Sequence, residues 1–133
     1  MRRILIILAA IVAGSVIIYG ARALLVGHAL TRSDPYPAFM ADYKMKGPHS
    51  YEQAKRAFSD FIADRFPIGS DAKGAIVEMT GGGFQTTDTS ESSVELVWKR
   101  QAGPCSELYS VLVAADVDGR IARIAGHLRP VCF

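Results

Sequence analysis

An uninterrupted apolar run, from Ile4 to Ala21, is the first feature in the pattern of hydrophobic and polar positions along the chain. No charged residue interrupts it, and the next charge is Arg22. A helix without a polar face is unstable at a water-exposed surface, so the run is typical of a membrane-spanning helix or an export signal. As a helix it would rise about 27 Å, close to the roughly 30 Å of a bilayer core. We therefore predict a signal anchor over residues 1–30.

The orientation of the run is predicted mainly from its place at the N-terminus, and one alternative stays open. Arg2 and Arg3 precede the run and Arg22 and Arg32 follow it, so the charges on its two sides are nearly balanced. A short N-terminus inside with the bulk of the chain exported is the commoner arrangement for one N-terminal span. We expect a single-pass inner-membrane protein that contacts the membrane through residues 4–21 and holds its C-terminal domain in the periplasm. The alternative is a signal peptide cleaved at Ala21-Arg22-Ala23, which would leave a secreted or periplasmic domain.

Residues 31–49 combine prolines, a glycine and scattered charges, as tethers do. Aromatic residues make this segment more apolar than a free linker, so part of it, 37–43, is expected to form a short helix or an ordered loop. Periodic hydrophobicity begins at Ser50. We assign residues 50–133 to one small extracytoplasmic domain.

Two helices are predicted at the start of this domain. Ser50 and Gln53 have the spacing of a capping box, and apolar residues then recur every three or four positions, so the first helix is expected over 51–65. Ser70 is the expected N-cap of the second helix, which the glycines at 81–83 end.

Three later segments alternate apolar and polar residues and predict antiparallel strands at 94–100, 108–115 and 120–128. The polar stretch 86–93 is expected to be an exposed loop or a ragged strand edge. The predicted fold class is therefore α+β: an N-terminal transmembrane helix, then two helices packed on a three-stranded antiparallel sheet, in the order αα-βββ.

The dipeptide Asp118-Gly119 lies between the last two strand patterns and is a strong hairpin signal. If it forms the turn, Val117 lies opposite Arg120, and the residue numbers of every opposed pair have the same sum. Cys105 and Cys132 also have that sum. Because two cysteines in an exported domain favour one disulfide, we predict a Cys105–Cys132 bond. The alternative is two buried free thiols.

The charge balance changes once the apolar run is set aside. The whole chain has a formal net charge of +2, but residues 33–133 hold 11 basic and 13 acidic side chains, a net of −2. A slightly acidic domain lacks the basic surface that nucleic acids require. We therefore predict no nucleic-acid partner.

Candidate chemistry is sparse. His28, His49 and His127 have no metal-ligand spacing among them. Ser110, His127 and Asp116 could be combined into a nucleophile–base–acid set, but any domain of this size offers such triples. We predict a non-catalytic protein with no metal and no cofactor.

Two loop patterns resemble ligand-binding loops and are interpreted as turns. The glycines at 81–83 follow a helix instead of opening one, and they lack the Gly-Lys-Ser/Thr ending of a phosphate loop. The segment 116–119 has the Asp-x-Asp-Gly of a calcium loop without its remaining ligands or closing glutamate.

Four features occur together in residues 50–132: the order of two helices and three strands, the connection Pro67-Ile68-Gly69-Ser70, the glycine exit at 81–84 and the hairpin Asp118-Gly119-Arg120-Ile121. This combination resembles the small periplasmic domain of the SmpA/OmlA outer-membrane assembly lipoproteins, whose fold is shared with β-lactamase-inhibitor-like domains. Family members carry a lipobox cysteine, which this chain lacks. The chain thus looks like a proteobacterial membrane-anchored protein with such a domain, attached through a protein helix.

We therefore expect a non-catalytic envelope protein that acts as a protein-interaction module with an unknown envelope partner. The candidate surface is the sheet or a strand edge at 94–100, with Val94, Leu96 and Trp98 as its apolar residues. The alternative is a small-ligand or lipid-binding domain with a cleft between helices and sheet, near Trp98 and Phe61. An enzyme that uses His127 would require a polar cleft beside that residue.

Overall fold

The computed structural model describes residues 2–31, 33–43, 50–90 and 92–132. The chain forms two compact units, Met1–Arg32 and Ser33–Phe133. The first unit contains helix α1, Arg2–Thr31. Within the described ranges no helix is both long and apolar enough to span a membrane, so the predicted anchor over residues 1–30 has no support from the structure.

The second unit is an α+β domain, in which the described residues form two α-helices and one antiparallel sheet. Its four strands follow the sheet order β1-β2-β3-β4. The elements in chain order are α2 (Tyr51–Arg65), α3 (Ala72–Gly81), β1 (Gln85–Thr89), β2 (Ser93–Ala102), β3 (Cys105–Ala115) and β4 (Ile121–Cys132). The α+β class and the antiparallel sheet confirm the sequence prediction, but the strand number does not.

The predicted three-stranded sheet is wrong because residues 86–89, within the stretch predicted to be an exposed loop or a ragged strand edge, belong to strand β1. Its sequence, Gln-Thr-Thr-Asp-Thr, contains no apolar residue, and all five side chains are exposed. β1 pairs with β2 alone, with Gln85 opposite Val97 and Thr89 opposite Val94. An edge strand that buries no side chain leaves no hydrophobic alternation to detect.

Helix α2 has the predicted bounds and the predicted capping box. The Ser50 hydroxyl accepts from the Gln53 amide at 3.3 Å, and the Gln53 side chain accepts from the Ser50 amide at 3.1 Å. At α3 the predicted cap is wrong by one residue. Asp71 is the N-cap, with its carboxylate accepting from two backbone amides, whereas the Ser70 hydroxyl donates to the Pro67 carbonyl.

The core lies between the two helices and one face of the sheet. Phe58 and Ile62 of α2 and Met79 of α3 are fully buried, as are Leu96, Tyr109 and Val111 of the sheet. Gly126 of β4 permits this packing, since a Cβ atom there would lie 3.0 Å from Ile62 Cγ1. The close approach of α2 to the sheet therefore depends on glycine, which has no side chain, at position 126.

A strap, defined here as residues 33–43, packs on this core and belongs to the second unit. It contains a single 3-10 turn, Ala38–Met40. Met40 and Tyr43 are buried, and Ser33 forms an isolated bridge with Ala102 of β2. The strap forms most of the described part of the segment 31–49, which is predicted to be a tether; Thr31 ends α1, and residues 32 and 44–49 lie outside the described residues.

The β3–β4 hairpin has the predicted pairing over most of its length. Cys105 lies opposite Cys132, and Ala114 opposite Arg123. The turn itself is longer than predicted, because Ala115 lies opposite Ile121 and the Asp116 amide donates to the Arg120 carbonyl at 2.8 Å. A β-bulge next to the turn restores the predicted register.

The predicted disulfide is confirmed. Cys105 and Cys132 are bonded, with their Cα atoms 4.1 Å apart at the end of the hairpin remote from the turn. The bond ties the last pair of residues in the two longest strands of the sheet.

Candidate functional site

The sheet has one covered face and one open face. Side chains alternate between the two faces along each strand. Leu96, Tyr109 and Val111 lie on the covered face beneath the helices and the strap. The side chains of the opposite face, called the open face below, are exposed or half-buried, except for the buried Ser106. The residues of the open face on β2, β3 and β4 are Ser93, Glu95, Val97, Lys99, Gln101, Ser106, Leu108, Ser110, Leu112, Ala114, Arg123, Ala125, His127, Arg129 and Val131.

The predicted surface residues Val94, Leu96 and Trp98 lie on the other face. Leu96 is fully buried, and Val94 and Trp98 are partly buried against the core. β2 is also an interior strand, paired with β1 and β3. The predicted interaction surface is therefore corrected: the same strand presents its intervening residues outward. Sequence alternation shows that two faces exist, but it does not show which one the helices cover.

Three adjacent rows of cross-strand neighbours make up one half of the open face. The middle row is Lys99, Leu108 and Arg129, in which Leu108 is paired with both cations. The flanking rows are Val97, Ser110 and His127 on one side and Gln101, Ser106 and Val131 on the other. A recess of about 220 Å³ lies here, lined by Lys99, Ser106, Glu107, Leu108, Arg129 and Val131.

The charge of this half-face is basic. Lys99 and Arg129 are exposed, and neither forms an ion pair or a side-chain hydrogen bond with a residue in the described ranges. No acidic residue occurs in the three rows. Glu95 lies in the next row, beside Leu112, toward the opposite end of the face. The positive charge is thus concentrated around the recess.

Glu107 contributes to the recess wall, but its carboxylate lies on the covered face. There Oε2 accepts from Arg100 Nη1 at 2.8 Å and from the Tyr109 hydroxyl at 2.7 Å. The Arg100 guanidinium also lies over the Tyr36 ring, 4.2 Å from its centroid. Arg100 Nε donates to the Asp34 carbonyl at 2.7 Å. This network attaches the strap to β2 and β3 directly behind the recess.

The buried network shifts the pKa of several groups. Burial alone would lower the pKa of Arg100, but the hydrogen bond to Glu107 and the nearby negative charge outweigh it, so that pKa is raised. Burial raises the pKa of Tyr109 well above its usual value, and the hydrogen bonds to Tyr36 and Glu107 add to the shift. Burial likewise raises the pKa of Tyr43. At neutral pH Arg100 is therefore charged, and Tyr109 and Tyr43 are neutral.

The disulfide lies at the edge of the recess. Cys105 and Cys132 are adjacent along their strands to Ser106 and Val131, which form the outermost row. The covalent bond therefore fixes the separation of β3 and β4 where the recess ends.

The candidate catalytic residues are only partly brought together. Ser110 and His127 are cross-strand neighbours on the open face. Asp116 lies in the hairpin turn, where its carboxylate accepts from the amides of Asp118 and Arg120. Six residues of extended chain separate it from Ser110, about 20 Å. His127 is exposed, and no group of three metal-ligating side chains occurs among the described residues. His49 and the His28 side chain lie outside them.

The expected ligand cleft near Trp98 and Phe61 is occupied by protein side chains. Trp98 stacks on Phe84, with ring centroids 5.9 Å apart, and Phe61 packs on Tyr43 at 5.4 Å. A recess of about 230 Å³ borders Trp98 from the β1 side. A larger cleft of about 480 Å³ lies elsewhere, lined by Pro37, Ala38, Phe39, Arg65, Glu78, Gly81 and Gly82.

No protein-family model, curated protein or solved structure matches the chain. The resemblance to the SmpA/OmlA family therefore remains a prediction.

Proposed function

We propose that this protein is a non-catalytic interaction module that binds a partner protein through the open face. The observation that carries the proposal is the composition of that face. The outer face of a one-sided antiparallel sheet is normally polar. Here its outward positions include the aliphatic residues Val97, Leu108, Leu112 and Val131, the last of them 45% exposed. An apolar patch framed by charges is typical of a protein-binding surface.

Contact through this face is favoured over addition of a strand to the sheet edge. β1 is a short, polar edge strand, and β4 is the other edge. On β4, Pro130 has no amide hydrogen to donate, and the Leu128 carbonyl already accepts from the Tyr51 hydroxyl at 3.2 Å. Both features protect an edge strand against pairing with another chain.

The place of action is proposed from the sequence. The apolar run 4–21 motivates an inner-membrane helix with the domain in the periplasm, and α1 exposes Val16, Ile17 and Leu24 among other apolar side chains. A disulfide fits an oxidising compartment. Carbonate washing of membranes tests this: the full-length protein should stay in the pellet. A soluble protein shortened by about 23 residues would instead support signal cleavage.

Photo-crosslinking tests the interaction itself. A photoreactive amino acid is placed at Leu112 in the centre of the open face, or at Val77 on α3, an exposed apolar control that lies on a helix. We expect irradiation in intact cells to give a discrete higher-mass adduct from position 112 and none from position 77. Absence of an adduct at 112, or the same adducts from both positions, would contradict the proposal.

A second candidate function, small-ligand binding, is favoured by one observation. The 480 Å³ cleft beside Phe39 is within the range of small-molecule sites, about 300–1,000 Å³. Its wall includes the Arg65–Glu78 ion pair, at 2.6 Å. A ligand library screened by thermal shift, against wild type and Phe39→Ala, tests this candidate. Ligands that stabilise only the wild type would support it.

A further inference from the structure

We propose that the partner segment seated on the open face is acidic, with carboxylates paired to Lys99 and Arg129 and an apolar side chain in the recess over Leu108. This inference rests on the proposed function, because it names the chemistry of the partner at the same face. Lys99, Leu108 and Arg129 form one cross-strand row. The two cations therefore flank the leucine on strands that lie about 10 Å apart.

Charge complementarity is the first argument for an acidic occupant. Lys99 and Arg129 have no ion-pair partner among the residues that the structure describes, and the three rows around them contain no acidic side chain. Three other cations of the domain are paired with carboxylates, at Lys55–Glu52, Arg65–Glu78 and Arg100–Glu107. Among the described residues Arg56, Lys73 and Arg123 form no such pair, but none of them lines the recess. Two unpaired cations beside an apolar recess attract carboxylates and repel basic segments.

The shape of the surface is the second argument, and it favours a peptide over a membrane. The recess of about 220 Å³ is concave and has room for one side chain, which a flat bilayer surface cannot insert. The domain carries a net charge of −2 over residues 33–133 and so lacks the long-range attraction to anionic lipid that a basic domain has. Local cations on an acidic domain are better suited to a short acidic segment.

The nearest carboxylate does not compete for the two cations. Glu107 lies on β3 beside Leu108, but its side chain is on the covered face, bonded to Arg100 at 2.8 Å and to Tyr109 at 2.7 Å. Glu95 lies two rows beyond the middle row along β2, about 13 Å away. The recess therefore remains basic although acidic residues lie close to it in sequence.

The test uses the full-length protein and two defined peptides, measured by fluorescence anisotropy. The probe is a capped pentapeptide that alternates glutamate and leucine, and the control peptide has lysine in place of glutamate. We expect the acidic peptide to bind, with an affinity that falls as the salt concentration rises. The basic peptide should bind at least about tenfold more weakly. Binding of both peptides alike, or of neither, would overturn the inference.

Charge reversal locates the site. Lys99→Glu with Arg129→Glu should weaken acidic-peptide binding by about tenfold or more, whereas Arg56→Glu with Lys73→Glu, a matched pair of exposed helix cations, should change it less than about twofold. Equal thermal midpoints show that both variants are folded. Equal weakening by both pairs would place the binding elsewhere.

Two further outcomes separate this inference from the proposed function. Binding to phosphatidylglycerol vesicles in the absence of peptide binding would make the face a membrane contact and overturn the inference. Crosslinking at Leu112 without acidic-peptide binding would preserve the interaction module and show that its partner is not acidic.

Discussion

Glu107 accepts two hydrogen bonds from Arg100 and Tyr109 on the covered face, directly behind the recess that opens on the other side of β3. The side chains of Arg100 and Glu107 are only 13% and 12% exposed, so the ion pair is largely desolvated. On β3, the Glu107 side chain thus holds the network that supports the strap, while the adjacent residues Ser106 and Leu108 line the recess. Loss of this carboxylate should affect the stability of the domain and the geometry of the recess together.

Glu107→Gln is expected to lower the free energy of unfolding by about 2–4 kcal/mol, because it leaves the Arg100 guanidinium buried without a counter-charge. Urea denaturation followed by circular dichroism measures the change. Glu78→Gln removes the partner of the exposed Arg65, so this control should have a much smaller effect. Equal effects of the two substitutions would show that burial of the Arg100–Glu107 pair has no consequence.

Removing the disulfide should also destabilise the domain. The bond joins residues 27 apart in the sequence. A crosslink of that length lowers the entropy of the unfolded chain and so raises the free energy of unfolding by about 2–4 kcal/mol. Cys105→Ala combined with Cys132→Ala should show this loss in denaturant, and dithiothreitol should lower the wild-type midpoint but leave the variant unchanged. A wild-type midpoint that is insensitive to the reductant would contradict this expectation.

Gly126→Ala is expected to destabilise the domain by about 1–3 kcal/mol, because the new methyl group would contact Ile62 and Phe58 at 3.0 and 3.2 Å. The matched control is Gly81→Ala in α3, where no atom outside the neighbouring residues and the backbone of that helix lies within 4 Å of the added Cβ. Alanine favours helix over glycine, so this control should be neutral or slightly stabilising. Thermal denaturation distinguishes the two variants. A Gly126 variant as stable as the wild type would contradict this prediction, because it would show that α2 can move away from the sheet without loss of stability.

Alkaline pH should weaken the fold through its buried phenols. The pKa values of Tyr109 and Tyr43 are raised in the folded state, so their contribution is complete below the usual value of 10.0 and is lost as pH rises above it. The free energy of unfolding should fall by up to about 1.4 kcal/mol per pH unit for each tyrosine. Stability measured from about pH 8 to 11 tests this. Tyr109→Phe should have a shallower slope, and an unchanged slope would contradict the assignment.

The sequence predicted local elements well where one residue pattern determines each of them. Ser50 and Gln53 define the start of α2 because each side chain accepts a hydrogen bond from the other residue's backbone amide. Both residues lie within one turn of the chain, so the sequence alone reveals the pair. The cap of α3 was misplaced because Ser70 and Asp71 are both good caps, and the Ser70 hydroxyl is bonded to the Pro67 carbonyl. The sequence does not show which of two adjacent residues caps a helix, because the choice depends on hydrogen-bond partners, here the Pro67 carbonyl, whose positions only the folded chain defines.

The hairpin register was predicted correctly although its turn was not. Asp118-Gly119 was expected to form a two-residue turn, whereas the strands close at Ala115 and Ile121. The bulge beside the turn offsets the longer connection, so Cys105 still lies opposite Cys132. The sequence does not predict the open face, for a different reason. Apolar residues occur in both alternating sets of β2 side chains, and which set faces outward depends on where α2 and α3 pack.

Covalent footprinting of the full-length protein, in native membranes and after purification, tests the central claim most directly. If the open face binds a partner, carbene labelling of Leu108, Leu112 and Val131 should be several-fold lower in the native sample. Labelling of Ile68 and Val117, exposed apolar residues away from this face, should be the same in both samples. Equal labelling of the open face in the two samples would contradict its role as a docking surface.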